Sequence, residues 1–528
     1  MSAELGGRVI PGRFSLEAVG ALEAAAGAVG LGLLVVASRL PFRTRYLANW
    51  DAAQFALGIR HFDLAHHQPH PPGYLGYIAA GRLLLRVFGD PNSALVALSI
   101  GGEALGVAVG FLFARALFGR FAGWVSGLAL AAAPLYWYYG EVANTYALEP
   151  LLAMLVAWPC WRLWTGEARF AYPAAVALGL GGALRPSTMV LLTPLFLLSL
   201  RRSAAQPLVL RSLGIYAAAV AVWALPLLVL AGGPIRFLQV SLQLGDSVTG
   251  GTAFWNDARN PLTVTGPAVL TGLGWELGLF SVLAAFGLLA APRLLRREVL
   301  PPAWTLFCWA WAAPALLTFL FVHIGQLVYV QAFAPALFLS LGPAVRATAE
   351  AVGRAHLAPG LVLAAAATSV LIFLLPPRYS LADQLRLHDL RVEGMLALAA
   401  TTDPDHTVLI GDAYGVGSYR TAAYYLPAYH RAGLGRDSEG RVREIFGDAY
   451  DPAGSRRSVP LAFGAGTTTY VYLDRELLPL LADSYRLTRV TLPDGSAVYV
   501  WRGHPPEVIA NRVWIDRHPQ PGAGASAY

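Results

Sequence analysis

The stretch Asn49 to Tyr74, N-W-D-A-A-Q-F-A-L-G-I-R-H-F-D-L-A-H-H-Q-P-H-P-P-G-Y, decides how the rest of the chain is read. It follows the first long apolar run and carries two aspartates (Asp51, Asp63), four histidines (His61, His66, His67, His70) and Arg60. Ionisable side chains are costly inside a bilayer, so a cluster set between membrane-length apolar runs marks a functional site. Pro69, Pro71 and Pro72 forbid a helix running straight through, and Gly73 lets the chain turn. The cluster is therefore expected in a polar loop beside the membrane.

Working outward, the 528 residues are 56% hydrophobic and 13% charged, with a mean hydropathy of +0.51. That charge fraction is about half the ~25% usual in soluble domains. Many apolar runs of roughly 20 residues identify a polytopic α-helical membrane protein. The formal charge of +7 does not point to nucleic acid, because the basic residues sit mainly in short loops between apolar runs. Cys160 and Cys308 both lie in apolar runs, which indicates neither a disulfide framework nor a Cys-rich metal site. Ser15 to Ser38 is too long for a cleaved signal and contains Glu17 and Glu23, so it reads as a first span acting as an uncleaved signal.

Eleven spans are expected, at about 16–38, 93–117, 121–139, 146–164, 171–184, 187–200, 212–231, 267–291, 303–322, 327–345 and 358–376. If they alternate, Arg8 and Arg13 share a side with Arg115, Arg120, Arg162, Arg169, Arg201, Arg202, Arg211, Arg293, Arg296, Arg297, Arg346 and Arg354. The positive-inside rule then places the N-terminus in the cytoplasm of a multi-pass plasma-membrane protein and the C-terminus outside. Arg39, Arg43 and Arg45, just after the first span, count against this and are outvoted. Residues 71–89 are apolar but interrupted by Arg82 and Arg86; counted as a twelfth span they would invert every later loop, so they read as an interfacial or re-entrant helix in the first outer loop, 39–92.

The membrane part is expected over 1–377. After about Pro376 the composition turns polar. Thr407–Gly411 and Thr469–Leu473 read as buried strands, with helical stretches at 381–400 and 418–426 and a hairpin over Arg489–Arg502 turning at Asp494-Gly495. Residues 378–517 are thus expected as a small extracytoplasmic α/β domain, and 518–528, rich in Pro, Gly, Ala and Ser, as a disordered tail.

Three carboxylates could serve chemistry. Asp51 sits where a base could take a proton from an attacking hydroxyl or amine, and Glu141 and Glu149, in G-E-V-A-N-T-Y-A-L-E-P, could reach the same outer cavity. Glu149 is equally well placed to be a helix-start carboxylate. His66, His67 and His70 form H-H-x-x-H, which matches no strong metal signature; donation to phosphate oxygens suits them better. Arg185, Arg82 and Arg60 offer guanidinium forks for a lipid phosphate, with snorkelling the plainer use of Arg82. His323, Gln326 and Tyr329 add polar groups at the outer start of the tenth span.

These residues together resemble the GT-C glycosyltransferases, closest to the protein O-mannosyltransferase-like and lipid A aminoarabinose transferase-like branch. The features that carry the resemblance are an aspartate just after the first span, the P-H-P-P-G-Y segment, the T-Y-A-L-E-P segment and the V-Y-V-Q-A-F-A-P run, within residues 45–345. The resemblance implies a membrane enzyme that takes a sugar from a polyprenyl-phosphate donor at the outer membrane face. Asp51 matches the family's catalytic aspartate. His70 stands where the aminoarabinose branch has a phosphate-binding lysine. Glu149 matches that branch's second acid, and Glu141 the acidic-valine motif of the other branch. The expected phosphate ligands are His70, Arg185, His323, Gln326 and Arg82. Arg60, His66, His67, Tyr74, Tyr146 and Tyr329 are expected to contact substrate. The acceptor is left open between protein, glycan and glycolipid. No cofactor is implied with certainty, because some branches need a divalent metal and others do not. A transporter or flippase of lipid-linked saccharide is the alternative from another class.

Overall fold

The computed structural model describes residues 11–203, 205–249, 253–254, 261–296, 298–375, 380–411, 419–436, 442–444, 468–472, 488–493, 495 and 497–503. The first apolar run forms α1 (Pro11–Arg39). The polar stretch then opens with α2 (Trp50–Arg60), whose start is fixed by the Asn49 side chain accepting the Ala52 N–H. Helix α3 (Leu75–Phe88) follows and is closed by Gly89 in the left-handed region. Helix α4 (Pro91–Phe118) begins with Asp90 capping the Ser93 N–H and a proline in its first turn.

Beyond α4 the helices are shorter and interrupted. The run 121–139 splits into α5 (Arg120–Ala132) and α6 (Pro134–Gly140), because the residue before Pro134 is pushed out of the helical region. A 3-10 turn over Thr145–Leu148 leads into α7 (Glu149–Trp164). Then come α8 (Ala171–Leu184), α9 (Pro186–Ser203), α10 (Gln206–Leu230) and α11 (Pro234–Thr249). Next are α12 (Gly266–Leu277), α13 (Phe280–Ala285) and α14 (Ala291–Leu295). Helices α15 (Pro302–Phe321), α16 (Ala334–Ala351) and α17 (Ala358–Leu374) complete the apolar part.

All eleven expected runs are largely helical, yet length and composition alone return fewer spans. Among the described residues five helices are long and apolar enough to cross a bilayer: Gly20–Arg39, Pro91–Phe118, Gln206–Leu230, Pro302–Phe321 and Ala355–Leu374. A sixth is added if Thr263–Leu277 and Phe280–Leu295, bent by 107°, count as one broken span. The chain is a multi-pass membrane protein. Helix α3 has 14 residues, or about 21 Å, against a hydrocarbon core of about 30 Å.

One buried core joins α1, α4, α5, α7, α9, α15 and α16 around Phe111, Phe196, Trp304 and Phe338. A second one holds the polar stretch in place through Phe55 and Ile59 of α2, Tyr77 and Ile78 of α3, and Leu95 and Val96 of α4. Gly76 is needed there: a Cβ would lie 2.8 Å from the Ala183 Cβ, so only glycine lets α3 seat against the end of α8.

The C-terminal part contains α18 (Leu381–Ala399), β1 (Thr407–Gly411), α19 (Tyr419–Tyr425), β2 (His430–Arg436), β3 (Val442–Glu444), β4 (Thr468–Tyr472), β5 (Thr488–Thr491) and β6 (Ala497–Gly503). They form a sheet in the order β3-β2-β1-β4-β6-β5. Central β1 is buried throughout and runs parallel to β2 and β4, as a continuous apolar strand should. The expected strand at 469–473 lies one residue earlier. The expected hairpin is the antiparallel β5–β6 pair, with Gly495 at positive φ in its turn. Asp494 and the tail 518–528 fall outside the described residues. Helix α18 packs on the sheet through Val392, Met395 and Ala399.

Candidate functional site

The first turn of α2, the proline-rich turn after it, the start of α7, the α8–α9 junction and the segment before α16 enclose a cavity of about 890 Å³. Each wall has a local cause. The Asn49 cap puts Trp50 and Asp51 at the very start of α2. Helix α2 ends at Arg60 with His61 in extended backbone, and the turn that follows carries Gly73, at φ +102°, and two non-glycine residues at positive φ, His67 and Tyr74. Strained backbone of this kind persists only where surrounding packing holds it. Pro186 forces Arg185 out of α8 into extended backbone, which separates its side chain from the helical rows on either side.

The centre of the site is a buried ion pair. Arg185 Nε lies 2.9 Å from Glu149 Oε2, with the two side chains 7% and 2% exposed. Arg185 Nη1 donates to Thr145 Oγ1 at 2.6 Å, and Thr188 Oγ1 donates to Glu149 Oε1 at 3.1 Å. The Tyr146 ring lies 4.2 Å from the Arg185 guanidinium carbon. Among the described residues Arg185 Nη2 has no hydrogen-bond partner. Opposite the pair, Asp51 is about a quarter exposed and His70 Nδ1 is 3.8 Å from its Oδ1, beyond hydrogen-bonding distance. That Nδ1 is buried without a hydrogen-bond partner among the described residues. Burial pushes the His70 imidazole below the ordinary histidine range; Asp51 opposes this and Arg185 adds to it. His67 is pushed well below that range, first by burial and then by the charge of Arg420.

Of the residues singled out in the sequence, the cavity brings together Asp51, Glu149, His67, His70, Tyr74, Tyr146, Arg185, His323, Gln326 and Tyr329. Tyr139 donates to Gln326 Oε1 at 3.0 Å, and His323 packs on Tyr329 with ring centroids 5.7 Å apart. Four others are elsewhere. Glu141 is buried and accepts the Trp137 Nε1–H at 2.6 Å, away from the cavity. The short turn between α6 and α7 aims the two glutamates of that motif in different directions. Arg82 donates to the carbonyls of Ile59 at 2.9 Å and Gly58 at 3.0 Å, so it ties α3 to α2. His66 is held by Asp63 at 2.6 Å. Arg60 stacks on Tyr424 at 4.1 Å and donates to its hydroxyl at 3.0 Å. Among the described residues no three metal-ligating side chains converge.

Several contributors carried no signal in the sequence. Trp50 and Gln54 line the cavity beside Asp51. Buried Arg420 of α19 sits with its guanidinium carbon 5.3 Å from the Trp50 ring, which brings a C-terminal cation to the rim. Asp389 of α18 accepts the N–H groups of Arg45 at 2.9 Å and Tyr46 at 3.2 Å, just ahead of α2. Tyr425 Oη accepts the Leu47 N–H at 2.9 Å. These contacts link positions more than three hundred residues apart, beyond any local pattern. Thr145 and Thr188 were within reach, being next to Tyr146 and one turn after Arg185.

No protein-family model matches the chain, and no curated protein matches it in sequence. Its architecture is similar to that of ArnT from Cupriavidus metallidurans. The ArnT structure bound to undecaprenyl phosphate aligns with a TM-score of 0.55 at 15% identity, covering 91% of this chain and 99% of ArnT. The apo ArnT structure gives 0.53 at 16% identity, covering 92% and 100%. The likeness shows that the chain shares the ArnT fold, the fold that the GT-C resemblance over residues 45–345 implied.

Proposed function

We propose that the chain is a membrane glycosyltransferase moving a sugar from a polyprenyl-phosphate donor to an acceptor on the outer face of the cytoplasmic membrane, with inversion at the anomeric carbon. The observation that carries this reading is one cavity holding a carboxylate, Asp51, opposite a buried arginine with an open donor, Arg185, and an unpartnered His70 nitrogen. That ArnT binds undecaprenyl phosphate supports a lipid phosphate as the ligand.

In this reading the acceptor hydroxyl or amine gives its proton to Asp51 as its lone pair attacks the anomeric carbon. The bond from that carbon to the phosphate oxygen breaks, and polyprenyl phosphate leaves with the electron pair. Arg185 Nη2 and a neutral His70 ring donate to the phosphate oxygens, where charge grows during the step. Glu149, Thr145 and Thr188 hold the guanidinium so that no reorganisation is needed at the moment of bond breaking. His323, Gln326, Tyr146 and Tyr329 line the donor side, and His67, Tyr74 and Trp50 the side nearer α2. The apolar runs serve as eleven spans, several of them broken, with the N-terminus cytoplasmic. Residues 378–517 lie outside and steady the acceptor side through Arg420 and Asp389.

The test is to incubate purified protein with radiolabelled polyprenyl-phosphate sugars and with membrane and wall fractions. Label should move from the lipid to one fraction and identify the acceptor class. Absence of transfer from every donor, together with movement of intact donor between leaflets, would replace the transferase by a flippase.

A further inference from the structure

Arg39, Arg43 and Arg45 stand on the side of the membrane where the positive-inside rule expects few cations. Arg39 is accounted for by its buried pair with Glu103. Arg43 and Arg45 are not, and both line a second cavity of about 600 Å³. This cavity lies where α1 and α17 end and α18 begins. Phe42, Leu374 and Leu385 give it apolar walls, and Arg386 brings a third guanidinium. It therefore sits at the same end of α1 as the Asp51 cavity, at the height where the apolar helices give way to polar chain.

The acids present hold these cations loosely and unevenly. Asp389 is shared between the backbone N–H groups of Arg45 and Tyr46 and a loose contact to Arg45 Nε at 3.5 Å. Arg45 also pairs with Glu393 at 2.8 Å, and Arg386 with Asp383 at 2.9 Å. The Arg45 and Arg386 side chains are 59% and 67% exposed, so these pairs are weak and can open to another anion. Arg43 pairs with no carboxylate among the described residues; its Nη1 donates only to the Leu40 carbonyl, at 2.7 Å. Counting Glu393, which pairs with Arg45 from outside the lining, three carboxylates match the three guanidinium groups in number, but two of them fall on Arg45 and one on Arg386, which leaves Arg43 as the lining cation with no carboxylate among the described residues.

We propose that this cavity binds the phosphate headgroup of an anionic phospholipid drawn from the adjoining leaflet. Guanidinium forks match phosphate oxygens, and cations at the membrane surface attract anionic lipids. The apolar wall of Phe42, Leu374 and Leu385 receives the glycerol backbone and the first methylenes. A soluble anion would gain nothing from that wall. Because Asp389 grips the backbone just before α2, an occupied site braces the chain leading to Asp51. The proposal does not depend on sugar transfer.

The protein is placed in nanodiscs of phosphatidylcholine alone or with phosphatidylglycerol, and bound lipid is counted by native mass spectrometry beside thermal unfolding. Wild type should retain one phosphatidylglycerol more tightly than phosphatidylcholine and unfold at higher temperature with it. Each arginine removed should weaken that binding about fivefold, so Arg43→Ala with Arg386→Ala should weaken it about 25-fold. Arg169→Ala, beyond the opposite end of α7 from Glu149, should change nothing. Equal retention by wild type and the double variant would overturn the proposal. So would an equal thermal shift from inorganic phosphate in phosphatidylcholine discs, which would assign the site to a soluble anion.

Discussion

Two buried arginine–glutamate pairs, each capped by an aromatic ring, have different surroundings in this molecule. Arg39 pairs with Glu103 and lies 4.1 Å from the Trp137 ring. Its guanidinium also donates to Ser38 Oγ at 2.9 Å and the Ala131 carbonyl at 2.8 Å, so all three nitrogens have protein partners. Arg185 pairs with Glu149 under Tyr146, but keeps one nitrogen open and borders the large cavity. The sealed pair fastens α1 to α4 and α5. In the proposed reaction the open pair supplies a preorganised cation for the donor phosphate. Buried pairs are weak evidence of stability; what separates structure from function here is whether every donor is already used.

Breaking the sealed pair should have the largest effect. Arg39→Ala leaves Glu103 buried without its partner and should destabilise the protein by about 3–5 kcal/mol, read as a fall in thermal unfolding temperature in detergent. Arg185→Ala should cost less stability, because water in the cavity can reach Glu149, but should weaken polyprenyl-phosphate binding by about 10- to 100-fold. Equal losses of donor affinity in both variants would erase the distinction.

The glutamates sharpen it further. Glu149→Gln removes the charge that orients Arg185 and should slow transfer by about tenfold or more, the worth of one hydrogen bond to a charged group. Glu141→Gln touches only the Trp137 contact outside the cavity and should leave the rate near that of wild type. A slower Glu141 variant would return that residue to the site.

The smallest expected effect is on pH. His67 and His70 are buried below the ordinary histidine range, so the unfolded chain, with a pKa of about 6.5, takes up protons first. Their contribution is complete above that value and falls away as pH drops below it toward the folded-state values. Thermal unfolding should therefore be stable from neutral pH upward and decline in mild acid, with His67→Gln flattening the slope.

Much of the fold was legible because apolar runs and proline breaks are local. The proline turn and the Arg185-Pro186 junction punctuate the chain locally, and Asp51, His70, Arg185 and Glu149, singled out from the chain alone, line one cavity. The number of spans was less legible, since interruptions at Pro134 and over Thr145–Leu148 leave helices too short to pass on length. Direction was illegible too. Glu141 and Glu149 look alike in one motif, and only the turn between α6 and α7 sends one to the cavity. Arg82 read as a phosphate ligand, and Arg60 and His66 as substrate contacts, because they are charged; their partners here, the Gly58 and Ile59 carbonyls, Tyr424 and Asp63, come from the folded arrangement. Arg420 and Asp389 arrive from a sheet-containing part with no sequence link to the first loop.

The central claim is that Asp51 is the base, and it is tested most directly by measuring transfer and donor binding together in wild type and Asp51→Asn. The substitution keeps size and removes the proton acceptor. Transfer should fall by about 100- to 10,000-fold, the usual worth of a positioned base, while polyprenyl-phosphate binding stays close to wild type. Undiminished transfer by the variant would contradict the account and move the chemistry away from Asp51.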